Sequence, residues 1–270
     1  YTKDKGDLFK RYGVNRVSLG VQTFHQELHH YLNRKHTNEQ VYEAVRHLKK
    51  IGINNINIDL IYAIPGQTMT DLEMDLLAID KLDINHVSCY SLILEDKTYF
   101  YHQYLRGNFK TVDQDVEANM FQIVMETLKK QGFEHYEISN YAKNKKFSMH
   151  NLIYWTLGEY IGCGLGAHGF IEGYRTYNHR ALPTYEKAFM EKKIHQTPDV
   201  LLADELIFGL RKLEGVSLKM INEKYGVDLM ETYPSLKEKM DLNLVKIENG
   251  MLKLTEKGLF LGNQVFMVFI

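Results

Sequence analysis

Three strand-like segments separated by helical patterns predict an α/β fold for this chain of 270 residues, its strands parallel in a closed or partly closed β/α barrel. The segments are NRVSLGVQ (15–22), NINIDLIY (55–62) and HVSCYSLIL (86–94). The second observation is strict alternation in the middle one, with Asn55, Asn57 and Asp59 on one face, Ile56, Ile58 and Leu60 on the other, and the Pro65-Gly66 breaker closing it. The third is a change of style downstream: a Gly-rich stretch, then helices followed by a hairpin.

Taken in order, the opening run YTKDKGDLFKRYG reads as the end of a helix already in progress, with an N-terminal portion expected upstream of Tyr1. In the first strand Val17, Leu19 and Val21 face helices while Arg16, Ser18, Gly20 and Gln22 face inward. A helix follows over 37–50, with Thr37 and Gln40 as a capping box and Gly52 as its stop. After the second strand another helix begins at Thr70, boxed by Glu73. The third strand alternates too poorly to assign a face. A long helix spans Asp113 to Gln131 with Gly132 beyond it, then come the short strand FEHYEIS and a loop through NYAKNKKFSMHN. YIGCGLGAHGFIEGYRTYN (160–178) reads as strands with tight turns. From about 199 two or three helices precede a hairpin around Asn249-Gly250 and a closing helix, the order of a winged helix. The predicted division is 1–110 for the partial barrel, 111–198 for an α+β region and 199–270 for the winged-helix-like domain.

Composition narrows the function classes. The net charge is −1, so no global field recruits nucleic acid or an anionic membrane. Residues 200–270 carry 9 Lys/Arg against 10 Asp/Glu, the wrong balance for a DNA-reading winged helix. No apolar run is long enough to span a bilayer, and a cytoplasmic location is expected. Cys89 and Cys163 stand alone and supply no CxxC-type site. In a parallel sheet both faces are covered, so the polar face cannot simply meet water. It forms either a self-satisfied network or a ligand site, because unpaired buried polar groups cost about 1 to 3 kcal/mol each.

The motifs RVSLGVQTF, LNRKH and NIDLIYAIPGQT, in that order, resemble oxygen-independent coproporphyrinogen III oxidases and their relatives among the radical S-adenosylmethionine (SAM) proteins. The resemblance covers essentially the whole chain. HNLIYW (150–155) with GCGLGAHG, LIFGLRKLEGV and LTEKGLFLGNQVF resembles the haem-chaperone branch of that family, the HemW type, whose members carry an HNxxYW motif. The resemblance implies a SAM site in which Gln22, Arg34 and Asp59 bind the cofactor and Ile61 and Ile93 supply apolar contact. Arg34 suits the methionyl carboxylate, and Gln22 and Asp59 suit the nucleoside. It also implies a 4Fe-4S cluster, but the CxxxCxxC motif that would bind it is absent from this chain, and the expectation is that it lies upstream, so no metal ligand is assigned here.

His150 is the candidate axial ligand for haem, with Tyr154 and Trp155 beside it to pack on a porphyrin, and His168 in GAHG is a second candidate. GCGLGAHG as a phosphate cradle is weaker, since no capped helix follows it. The implied function is a haem chaperone that passes haem to haem-accepting proteins. The alternative is the oxidase reaction, oxidative decarboxylation of coproporphyrinogen III propionates, and a third reading is a degenerate scaffold.

Overall fold

A computed structural model describes residues 1–108 and 110–270, with backbone alone at residues 30 and 99. It divides into two compact units, Tyr1–Phe147 and Ser148–Ile270.

The first unit runs α1 (Lys3–Arg11), β1 (Arg16–Gln22), α2 (Gln26–Tyr31), α3 (Asn38–Lys50), β2 (Asn55–Tyr62), α4 (Met69–Asp80), β3 (His86–Ser91), α5 (Tyr99–Leu105), α6 (Gln114–Lys130), β4 (Glu134–Glu137) and β5 (Asn140–Ala142). Its open five-stranded sheet has the order β1-β2-β3-β5-β4. The first three strands are parallel and the last two antiparallel. The register sets Gly20 beside Asp59 and Asp59 beside Ser88. Ile56, Ile58 and Leu60 are buried on the apolar face, where α6 packs on β2 and β3 and against α4. Tyr62, on that same face, stacks on Phe121 of α6 at 6.3 Å. α3 contributes Val41, Ala44, Val45 and Leu48, and burial of the Val and Leu side chains, about 1.5 to 3 kcal/mol each, drives the layer together.

Helix ends follow the caps. Thr37 and Gln40 form both bonds of the predicted box. The second box is displaced by two residues: Thr68 and Asp71, not Thr70 and Glu73, cap α4. Both pairs have the same spacing, and the sharp Pro65-Gly66 turn, with Gly66 at φ +85°, releases the chain early enough for the first to act. The opening helix is likewise not one in progress, because Thr2 caps it by accepting from the Lys5 amide. Residues 140–151, read as a loop, contain β5 and the start of a helix; three residues are too few to show alternation, and β5 is recruited by pairing with β3.

The second unit runs α7 (Met149–Trp155), β6 (His168–Ile171), β7 (Tyr174–Asn178), α8 (Leu182–Tyr185), β8 (Met190–His195), α9 (Pro198–Gly209), β9 (Val216–Ser217), α10 (Leu218–Tyr225), α11 (Leu229–Thr232), α12 (Leu236–Asp241), β10 (Val245–Glu248), β11 (Met251–Leu254), α13 (Glu256–Phe260) and α14 (Gly262–Phe266). β6-β7-β8 form one antiparallel sheet and β10-β11-β9 another. Asn249 and Gly250, at φ +53° and +74°, make the predicted hairpin turn of the wing. β8 and β9 had no sequence signal: β8 is exposed along its length, and β9 has two residues. No helix among the described residues is long and apolar enough to cross a membrane.

Candidate functional site

The polar face of the first sheet is two things at once. At its base, Asn57, His86, Ser88 and Asn140 are all buried. The His86 Nδ1–H donates to Asn57 Oδ1 at 2.6 Å, and its Nε2 accepts from the Tyr136 hydroxyl at 2.8 Å. That pairing fits neutral imidazole, and burial, reinforced by the Arg16 charge, pushes His86 down to about 3. Ser88 donates to Asn140 Oδ1 at 2.6 Å, and Asn140 in turn donates to Glu137. The Asn57 amide nitrogen lies 2.6 Å from Asp59 Oδ1, 2.8 Å from Ser18 Oγ and 3.0 Å from Ser88 Oγ. Arg16 donates to Asn55 at 2.9 Å. At this base Asn57, His86, Ser88 and Asn140 find their hydrogen-bond partners within one network of side chains.

At the carboxyl ends of the strands the face opens. Ser18, Gly20 and Tyr90 are exposed, while Asp59 and Ile61 are half-buried. Asp59 accepts from Asn57 on one oxygen and from the Ser18 hydroxyl, at 2.9 Å, on the other. Two of a carboxylate's roughly four acceptor positions are thereby filled, which aims the group and leaves capacity for a ligand's hydroxyls. Gln22 ends β1 across a bulge at φ +73° and is buried. Its Nε2 stands 2.9 Å from where a side chain on Gly20 would begin, so the Gln22 side chain reaches back over Gly20 toward the level of Asp59. Gln22, Asp59 and Ile61 thus share one face at one end of adjacent strands. Arg34 and Ile93 stand apart from them: both are exposed, on the segments that follow β1 and β3.

A buried carboxylate behind this rim had no sequence signal as anything but a helix residue. Asp75 on α4 is 1% exposed and accepts from the Thr23 hydroxyl, at 2.8 and 3.0 Å, and from the Phe24 amide at 2.5 Å. Burial pushes it up to about 6. It ties down the two residues directly after Gln22. The sequence did not single out His86, Ser88, Tyr136 or Asn140, because the third strand alternates too poorly to assign a face and Tyr136 and Asn140 meet His86 and Ser88 from far along the chain.

The second unit carries the histidine candidates. His150 lies on α7, exposed, with its ring nitrogen Nε2 2.6 Å from the Tyr154 hydroxyl, one helical turn on. Tyr154 and Trp155 line a cavity of about 360 Å³ with Tyr160, Phe170, Tyr177 and Phe208. His150 does not line it, whereas His168 does. The amides of the Gly-rich turn are engaged internally: Gly164 N–H donates to the Tyr185 hydroxyl at 3.2 Å and Gly166 N–H to the His179 carbonyl at 2.9 Å. They are not arrayed to cradle a phosphate.

Cys89 is buried in β3 and burial pushes its thiol far up, while Cys163 is exposed in the other unit. Among the described residues no group of three His, Cys, Asp or Glu side chains could hold a metal ion, so the side chains present do not fit an iron–sulfur cluster.

Residues 1–79 match the model of the radical SAM superfamily and residues 196–261 that of the HemN C-terminal domain. A protein of Bacillus subtilis described as heme chaperone HemW is 40% identical over 99% of this chain and 72% of its own length. Its counterpart in Lactococcus lactis is 40% identical over 95% of this chain and 69% of its own length. A solved structure of the radical SAM enzyme coproporphyrinogen III oxidase (HemN) from Escherichia coli superposes with a TM-score of 0.83 at 19% identity, over 100% of this chain and 67% of that one, which shows a shared fold. Identity of 40% sustained from the first strand to the last helix places this chain in the HemW family of radical SAM proteins.

Proposed function

We propose that the protein is a haem chaperone that binds haem through its second unit and passes it to haem-accepting proteins. The observation that carries this reading is the run HNLIYW on α7, which sets Tyr154 and Trp155 into an aromatic-lined cavity within a chain of the HemW family. Aromatic walls suit a flat conjugated ligand, since ring faces stack with little loss of side-chain entropy. His150 supports the wall by holding Tyr154.

At the sheet rim, the reading assigns SAM to Gln22, Asp59 and Ile61, with Arg34 and Ile93 closing over it from the flanking segments. Asp59 would accept from the ribose hydroxyls, Gln22 would pair with polar atoms of the nucleoside, and the Arg34 fork would take the methionyl carboxylate. SAM supplies a sulfonium group to be cleaved only where a cluster delivers an electron. The residues of this chain bind and orient the cofactor, and no ligand for the cluster is among those described.

The test sets haem against coproporphyrinogen III. Under anaerobic conditions the protein is offered each, with an apo-haem protein as acceptor. A Soret band that forms on the chain and then moves to the acceptor supports the chaperone. Vinyl product formed with turnover would instead make the protein an oxidase.

A further inference from the structure

We propose that Asp75, the buried carboxylate on α4, is a positioning residue for the SAM site: it holds Thr23 and Phe24, and through them it fixes Gln22 in the left-handed conformation that turns its amide over the rim. The inference deepens the SAM reading above and rests on it. It starts from the backbone. Gln22 sits at φ +73°, where a residue with a Cβ is seldom found. The register between β1 and β2 slips at the same point, between Gly20 and Gln22. A residue in such a conformation stays there only where its surroundings leave it no alternative.

The next two residues supply that restraint. Thr23 is fully buried, and its hydroxyl lies 2.8 and 3.0 Å from the two oxygens of Asp75, to which it donates. The same hydroxyl oxygen accepts from the His25 amide at 3.0 Å. The main chain of Thr23 is held from the other side, because its carbonyl accepts from the His29 ring at Nε2. His29 in turn accepts, on its own carbonyl, from the Arg34 amide at 2.8 Å. Phe24 is tied at both ends: its amide donates to Asp75 at 2.5 Å and its carbonyl accepts from the Asn38 side chain at 2.8 Å. One frame of buried hydrogen bonds thus runs from Asp75 through the segment that leaves Gln22 to the backbone of Arg34.

Nothing in α4 itself calls for a carboxylate at this place. Leu72, Leu76 and Ile79 are buried and form the apolar stripe of the helix, and Asp75 stands within it, three residues after Leu72 and four before Ile79. An aliphatic side chain would suit that stripe better than a group that must be desolvated. What Asp75 does there is receive the two donors that follow Gln22. Asp59, on the neighbouring strand, is aimed separately by Asn57 and Ser18. The two polar residues of the rim are therefore set by different devices, and a perturbation of one should leave the other in place.

The test is a double-mutant cycle on SAM affinity, read by equilibrium dialysis on the whole chain, with Asp75→Ala, Gln22→Ala and Asp59→Ala made singly and in pairs. Thr23→Val releases the same segment without touching α4 and carries the cycle if Asp75→Ala does not fold, which circular dichroism decides. Asp75→Ala and Thr23→Val should each weaken SAM binding about tenfold, the effect of losing one well-placed polar contact. In the Gln22→Ala background the same changes should cost under about twofold, whereas in the Asp59→Ala background they should keep the full loss of about tenfold. Asp75→Asn, which still accepts from the Phe24 amide, should bind SAM within about twofold of the wild type. A loss that persists undiminished beside Gln22→Ala shows that Asp75 supports the fold without acting through Gln22, and overturns the inference. Wild-type affinity in both Asp75→Ala and Thr23→Val, or in Gln22→Ala, overturns it too, and in each of these cases SAM binding by the wild type leaves the reading beneath it standing. A wild type that binds no SAM overturns both.

Discussion

Replacing Asp75 by Asn should change how the stability of the first unit depends on pH. In the fold the carboxylate is 1% exposed, and burial lifts it from 3.8 to about 6. The groups facing it are Thr23 and Phe24 as donors and His25, Asp71 and Cys89 as charged or titratable neighbours. An acid whose folded value is raised keeps its proton in the native state while the unfolded chain has already released it. Between 3.8 and 6, then, the unfolded state binds fewer protons, and the contribution of Asp75 to stability falls as pH rises. The interval is about two pH units, each worth about 1.4 kcal/mol, so the full loss is about 3 kcal/mol. Asparagine is nearly isosteric and does not titrate. Its carbonyl can still accept from the Phe24 amide, and the Thr23 hydroxyl can turn to accept from its NH2. Urea unfolding followed by circular dichroism from pH 4 to pH 7 gives the wild-type stability minus that of Asp75→Asn, which should decline by about 2 to 3 kcal/mol. A difference that stays flat, or rises with pH, refutes the reasoning; a rise would mean that the donors from Thr23 and Phe24 outweigh the cost of burying the charge.

His86 should act with the opposite sign. Its folded value near 3 lies below the usual imidazole range, so its contribution is present above pH 6.5 and is lost as pH falls toward 3, at up to about 1.4 kcal/mol per pH unit. His86→Gln should remove that acid-side slope, and an unchanged slope would show that His86 does not titrate as a buried neutral imidazole. Asp59→Ala and Arg34→Ala should each weaken SAM binding by about 1.5 to 3 kcal/mol, or roughly ten- to hundredfold by equilibrium dialysis. Unchanged affinity in both variants, with the fold preserved, removes those residues from the site. Gly258→Ala should destabilise the second unit by about 1 to 3 kcal/mol in thermal unfolding, because the new methyl collides with the Leu244 backbone carbonyl, which cannot rotate away. A melting temperature equal to the wild type's would show that the two segments are free to separate.

Local chemistry was enough to read most of the elements from the sequence. Asn55 to Tyr62 could be assigned a strand, its ends and both its faces because alternation has a period of two and Pro65-Gly66 stops it. The box at Thr37 and the turn at Asn249-Gly250 needed only neighbours within four residues. The motifs that matched the family were equally local, and Gln22, Asp59 and Ile61 do share a face. What the tertiary structure alone decided is where each polar group finds its partner. Asn57 could be placed on the inner face, but not bonded to His86, 29 residues away. Asp75 looked like any acidic residue of an amphipathic helix until the packing of α4 set it under Thr23, 52 residues earlier. The motif ranked His150 above His168, but the hydrogen bond of His150 to Tyr154 and the place of His168 in the wall of a cavity are facts of three-dimensional approach. Periodicity encodes which side of an element is apolar; it does not encode which distant donor and acceptor meet once the apolar sides have packed, and the candidate sites of this protein are made of such meetings.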